Sequence, residues 1–331
     1  VSRVPDFPWP TGSATGIGSL PGTDVVEAQR VVLGELPDLP HLPELPARGP
    51  GADIIGRGAG FLVELPVQLY AGQWQMAPRP GQDLRRTADL LERDLDQMTE
   101  QGDGFTGTFK IQSAGPWTLA AGIDLLIGGR VLRDPGAVRD LTDSLAEGLR
   151  RHVDDVRKRL PRATVLLQLD EPSLPAVLAG HVPTESGLGA YRAVSGPDAA
   201  TGLRTIVEQV GVPVVAHCCA PDVPLRVFRD ARAAGFALDL TLLKDLDPLG
   251  EALEAGVGLF AGAVPTAGDK PDGKQAAERV RKLWSRLGFP ASTLAQQVVI
   301  TPACGLAGAS PAYARAALTA CREAGRRLAE A

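Results

Sequence analysis

The feature that most restricts the fold is an alternation filling the second half of the chain. Short apolar, largely β-branched runs at 163–170, 212–217, 236–241, 257–262 and 297–301 are separated by stretches of helical periodicity at 197–210, 224–234, 246–255 and 274–287. A crossover of that length cannot be a hairpin, so successive strands run parallel. Runs that are apolar along their whole length need cover on both faces. The first half carries the same signals less evenly, with strand candidates at 14–20, 61–65 and 106–112 and helical stretches at 24–36, 83–101 and 135–160. The stretch at 135–160 has an i, i+3, i+4 apolar stripe, and 311–331 ends the chain as a helix. About eight strands alternating with helices, with no composition break between them, predict an α/β fold: a single (β/α)8 TIM-type barrel in one domain over 1–331. An open doubly wound sheet is the runner-up. It lacks a Gly-x-Gly-x-x-Gly turn after its first strand, and Gly16-Ile-Gly18 is too short a match.

Charge and composition remove several function classes. A formal net charge of −5 gives no basic footprint for nucleic acid or an anionic membrane. No apolar run approaches the roughly 18 residues of a membrane span. The amino-terminal stretch Val-Ser-Arg-Val-Pro-Asp-Phe-Pro-Trp-Pro lacks the apolar core of a signal peptide. Four cysteines, two of them adjacent, make no disulfide framework in 331 residues. The expectation is a cytoplasmic protein with reduced thiols. One stretch, 35–50, has proline at every third residue from Pro37 to Pro46, which favours an extended left-handed conformer. It reads as a rigid loop that its regular leucines pack down, or as a partner-binding proline motif.

In a barrel, active groups sit where strands end. His217 and Cys219 end the run at 212–217, and Cys304 follows the last run. Residues two apart in an extended segment point the same way, so His217 and Cys219 converge while Cys218 turns away. An imidazole with two soft thiolates is a zinc donor set. Asp239, an acid inside an apolar run, needs a cation or donors; zinc and a salt bridge to Lys244 both answer. Asp170 and Glu171 form a rigid acidic corner before Pro172. An inward Asp170 suits a ligand ammonium group, and a helix N-cap is the competing reading.

These motifs resemble, in order along nearly the whole chain, the carboxy-terminal catalytic barrel of the cobalamin-independent methionine synthase family. Thr15-Gly-Ile-Gly-Ser-Leu-Pro21 is similar to the family's Ile-Gly-Ser-(Phe/Leu)-Pro segment, and Ser113-Ala-Gly-Pro-Trp-Thr118 to its Thr-Gly-Pro-Val-Thr turn. Gln168-Leu-Asp-Glu-Pro-Ser-Leu174 is similar to Gln-Ile-Asp-Glu-Pro-Ala-Leu, His217-Cys-Cys219 to His-x-Cys, and Pro302-Ala-Cys-Gly-Leu306 to Pro-Asp-Cys-Gly-Leu.

The resemblance implies a zinc-dependent methyltransferase acting on the thiol of homocysteine. It implies zinc on His217, Cys219 and Cys304, with Asp239 nearest to the family's fourth ligand, a glutamate. It implies that Ile17, Ser19 and Asp170 hold the carboxylate and amino ends of homocysteine, with Glu64 as a further amino contact. Two departures bear on the methyl donor. Ala263, in Gly262-Ala-Val-Pro-Thr266, stands where the family has the histidine of a His-Ser-Pro segment, thought to protonate the leaving amine of methyltetrahydrofolate. The resemblance also covers one of the family's two barrels. The expected donor is methyltetrahydrofolate or another carrier such as a methyl-corrinoid protein. Alkyl transfer to a different thiol cofactor, and a non-catalytic thiol or amino-acid binding protein that keeps the zinc site, are the rival readings.

Overall fold

The computed structural model describes residues 6–330. The first five residues of the amino-terminal stretch, and Ala331 at the end of the last predicted helix, lie outside the described residues. The strands are β1 (Val67–Tyr70), β2 (Gln73–Met76), β3 (Gly107–Ala114), β4 (Ile123–Asp124), β5 (Ala163–Asp170), β6 (Val214–Cys218), β7 (Gly235–Asp239), β8 (Gly258–Val264) and β9 (Val298–Pro302). The helices that matter for the site are α1 (Val25–Glu35), α2 (Ile54–Ala59), α3 (Gln82–Gln101), α4 (Pro116–Gly122) and α5 (Pro135–Arg159). Local chemistry sets their ends. In α5, Asp134 accepts from the backbone N–H of Gly136 and Ala137, Pro135 starts the first turn, and Arg157, Lys158 and Arg159 occupy the last.

Six strands form one wholly parallel sheet in the order β3-β5-β6-β7-β8-β9. This curled half-barrel is the regular part of the predicted barrel. The remaining two strands of an eight-stranded count are not regular strands. Two extended segments join the sheet's edges through single parallel bridges instead, Ala14 to Ile300 and His41 to Lys110, and each other through Ser19 to Glu44. Proline explains the irregularity. Pro40 and Pro43 have no N–H to give, and a three-residue proline period cannot match a two-residue ladder. The 35–50 stretch is nonetheless buried at Leu39, Leu42 and Leu45. The strand expected at 61–65 is absent; the chain turns there, and β1 and β2 follow as a small antiparallel hairpin with β4 at its side.

The six-stranded sheet has two different faces. The convex face carries the large core cluster, including Phe109, Val165, Leu167, Ala216, Phe236 and Ile300, packed under the helices. The concave face carries a second, separate cluster: Ile17, Leu39, Leu166, Val215, Ala237, Phe260, Val299 and Trp9. One residue from each of β5 to β9 contributes to it, as strand alternation requires. Trp9 lies edge-on to Phe260, with ring centroids 4.9 Å apart, and its Nε1 donates to the Gln296 carbonyl just before β9. The amino ends of the strands are thereby plugged. Two residues further along β5 and β6 the concave face turns polar with Gln168 and His217, and Asp170 follows two residues later on β5.

Candidate metal and substrate site

His217 ends β6 facing the concave side, in register with Asp170 on β5 and Ala237 on β7. Its Nδ1 lies 3.0 Å from the Ala237 carbonyl, which fixes the tautomer with the proton on Nδ1 and presents Nε2. Cys219 lies one residue past the strand and Cys304 in the turn after β9. The ligand atoms of His217, Cys219 and Cys304 all lie within 4.8 Å of one another. Tetrahedral zinc with bonds of about 2.0–2.3 Å needs ligand separations of roughly 3.3–3.8 Å, a short contraction from this spacing. Cys304 is drawn down to about 4 by the Cys219 thiol and by His217, while the same contact with Cys304 raises Cys219. Cys218 points to the convex core, where burial pushes its thiol up to about 12.

Asp239 stands outside this three-residue group. Its Oδ1 accepts from the Thr241 N–H at 2.8 Å and the Thr241 hydroxyl at 2.7 Å. Lys244, its other expected partner, pairs with Asp222 instead, at 3.0 Å.

The acidic corner divides its two tasks between neighbours. Asp170 faces the concave side, and its Oδ1 accepts from Gln168 Nε2 at 2.7 Å. Burial pushes its carboxyl up to about 7 against the pull of His217. Glu171 turns the other way and caps a helix from a different part of the chain. It accepts from the N–H groups of Trp117 (3.0 Å) and Thr118 (2.8 Å) and from the Thr118 hydroxyl (2.7 Å), at the start of α4. A Cβ at position 115 would collide with this carboxylate, so the glycine of Gly115-Pro116 is a requirement of the cap.

Ser19 lies against the Cys304 turn. Its carbonyl accepts from Leu306 N–H at 2.8 Å, and a Cβ on Gly305 would overlap its Oγ. The Ile17 side chain belongs to the concave cluster, and its carbonyl accepts from Lys110 Nζ at 2.9 Å and Gln168 Nε2 at 2.8 Å. Glu64 is exposed in the turn between α2 and β1 with φ of 60°. Glu44, whose backbone bridges Ser19, is buried, and its carboxylate is held by Arg57 at 3.2 Å. Arg57 is itself paired with buried Asp94 of α3 at 2.6 Å. Burial lowers Lys110 to about 8, opposed by the charges of Asp170 and Glu44.

Ala263 is buried, and its carbonyl accepts from Arg279. Of the histidines outside the triad, His41 and His152 are buried and His181 is exposed beyond α6 (Leu174–Ala179). Burial holds His41 well below the usual imidazole value.

A parallel α/β sheet with an imidazole and two thiols gathered at its strand ends defines a class: an α/β protein with a candidate soft-metal centre beside buried acids. The particular family follows from the sequence. A family model described as "Cobalamin-independent synthase, Catalytic domain" matches residues 9–327, and the chain belongs to that family, the catalytic domain of the cobalamin-independent methionine synthases. This is a family of enzymes, and membership implies methyl transfer to homocysteine. No curated protein matches the chain in sequence. Among solved structures, a B12-independent methionine synthase from a Shewanella species, in complex with selenomethionine, is similar with a TM-score of 0.62 and 12% identity, over 97% of this chain and 98% of that one. An enzyme targeting pectin rhamnogalacturonan II aligns with a TM-score of 0.42 and 11% identity, over 99% of this chain and 40% of that one.

Proposed function

We propose that this chain is a zinc-dependent methyltransferase that methylates the thiol of homocysteine or a similar thiol. The observation that carries the reading is the convergence of His217, Cys219 and Cys304 within 4.8 Å, beside the buried acids Asp170 and Glu44. The donor set fits zinc: one oriented imidazole and two thiols that would bind as thiolates. Asp239 is the further ligand candidate, with Thr241 holding its Oδ1 and the second carboxylate oxygen available to a metal. Zinc bound there supplies one thing, a lowered pKa for a substrate thiol, so that the sulfur is nucleophilic at neutral pH.

The chain's own residues do the rest. Asp170 and Glu44 receive the substrate ammonium, which gives Asp170 a cationic partner and adds a second to Glu44, already paired with Arg57. Glu64, exposed in the turn after α2, is a further candidate contact for the amino group. The Ile17–Ser19 segment holds the substrate carboxylate. The sulfur forms a bond to the methyl carbon while the bond between methyl and carrier breaks, and the carrier keeps the electron pair. The thiol proton passes to solvent. Position 263 offers no acid to protonate a leaving amine, which favours a donor whose leaving group needs no proton, such as a methyl-corrinoid protein, over methyltetrahydrofolate. We further propose that the two bridged segments complete a (β/α)8 barrel around this site, and that the reduced thiols belong to a cytoplasmic protein.

X-ray absorption at the zinc edge tests the reading. The expected spectrum gains one sulfur ligand when homocysteine is added. An unchanged spectrum would leave any zinc structural and sink the thiol-substrate reading. A protein that holds no zinc would sink the metal site itself.

A further inference from the structure

Lys110 lies mid-strand in β3, and its side chain is fully buried. An ammonium in such a place is costly unless every proton is used. Its Nζ donates to three neutral oxygens: the Ile17 carbonyl (2.9 Å), Gln168 Oε1 (2.9 Å) and Gln112 Oε1 (3.1 Å). Three protons meet three acceptors, so none remains for a ligand. Among the described residues no carboxylate forms an ion pair with it.

Because an ammonium can only donate, both glutamines must turn their oxygens toward it and their NH2 groups away. That fixes what they do next. Gln168 Nε2 donates to the Ile17 carbonyl at 2.8 Å and to Asp170 Oδ1 at 2.7 Å. Gln112 Nε2 donates to the Leu42 carbonyl at 2.6 Å. One cation thus ties β3 and β5 to both irregular segments, where the backbone supplies only single bridges. It also leaves one oxygen of Asp170 free of this network.

We propose that Lys110 is a positioning residue for the amino-acid end of the substrate, fixing the Ile17–Ser19 segment and turning Gln168 toward Asp170 without touching the ligand. The proposal rests on the thiol amino acid reading above. It separates two parts of one substrate: the head group depends on Lys110, and the sulfur does not, because the three metal-type ligands lie on other strands and turns.

The test is calorimetric titration of zinc-loaded protein with homocysteine and with ethanethiol, which has the sulfur but no head group. Lys110→Met is expected to weaken homocysteine binding by about 10–100-fold, the usual cost of losing a supporting residue. Ethanethiol binding and zinc content stay at the wild-type level. Lys110→Arg, which keeps the charge but not its three-acceptor geometry, is expected to fall between the two. Equal homocysteine affinity in folded, zinc-replete Lys110→Met overturns the proposal, as does an equal loss for both ligands. If Lys110→Met does not fold, Gln168→Met decides by the same two titrations, since it cuts the link to Asp170 and leaves the contact of Lys110 with Ile17. A wild-type protein that binds ethanethiol but not homocysteine overturns the substrate reading and this proposal together. Homocysteine bound well by the wild type and equally by both variants overturns the positioning role alone.

Discussion

The two layers of the concave face differ in everything but their backbone. In the lower layer, Leu166, Val215, Ala237, Phe260 and Val299 pack into an apolar cluster under Trp9. Two residues further along β5 and β6, Gln168 and His217 occupy the same face, and Asp170 the next position up. The same pleat delivers packing below and chemistry above. The difference teaches how one sheet serves both ends: the acids, the imidazole and the thiols gather at the upper end, while Lys110, buried at the level of Leu166, has its three donors answered by neutral oxygens.

The comparison breaks most visibly at the upper layer. Replacing His217 by Ala or Cys304 by Ser removes one of the three candidate ligands whose atoms lie within 4.8 Å. The expected outcome is loss of nearly all bound zinc, measured by elemental analysis after dialysis, and of methyl transfer with it. The fold should survive, since the core clusters do not involve these side chains. Full zinc occupancy in either variant would mean that the upper layer is not a metal site.

The lower layer is expected to respond in the opposite way. Phe260→Ala empties the centre of the apolar cluster beside Trp9. The loss of stability should be about 3–5 kcal/mol, read by urea unfolding, with zinc content unchanged in the protein that remains folded. If the variant lost zinc before it lost stability, the two layers would not be separable.

A third prediction concerns the pair Asp170 and Glu171, adjacent in sequence and opposite in direction. Burial raises Glu171 to about 7 despite the three hydrogen bonds it accepts at the start of α4. A carboxyl raised on folding holds its proton more tightly in the folded state. Its contribution is therefore complete below its unfolded value near 4.5 and is lost as pH rises towards 7. One such group changes stability by at most about 1.4 kcal/mol per pH unit. Unfolding at pH 5 and at pH 7 should show falling stability in the wild type and a flatter profile in Glu171→Gln. An identical slope in the two proteins would mean that the hydrogen bonds of α4 already keep Glu171 ionised.

Much of this was legible in the sequence, and the illegible parts share a cause. The runs that became β5 to β9 were readable because each is apolar along its length and followed by a helix. His217, Cys219 and Cys304 were readable because thiols and an imidazole at strand ends have few other uses. Glu44 was not readable. It sits in a segment where prolines fall every third residue, so the two-residue alternation that tells inside from outside is missing. The strand expected around Glu64 is a turn, because the apolar flanks at 61–65 do not tell a strand from a packed turn. Lys110 did leave a signal, a lone cation inside the apolar run Thr-Phe-Lys-Ile-Gln, and its meaning depends on two glutamines that only the register brings together. The parallel pairing of β3 with β5 places Gln112 opposite Gln168.

The smallest expected effect lies outside both layers and sharpens the comparison by contrast. Lys244 was one of two partners that the sequence offered Asp239, and it pairs with Asp222 on the surface. Both side chains of that pair are more than 70% exposed, at 73% and 76%. Water and salt screen such a pair, and holding two long side chains in register costs most of what the contact returns. Lys244→Ala should move the thermal midpoint by no more than about 1–2 °C and leave zinc content as it was. A larger shift, or a loss of zinc, would mean that Lys244 reaches Asp239 in solution. Asp239 would then be neutralised by a surface lysine, and the case for it as a further metal ligand would fall, whereas a silent Lys244 leaves that carboxylate with Thr241 on its Oδ1 and the second oxygen available to a metal.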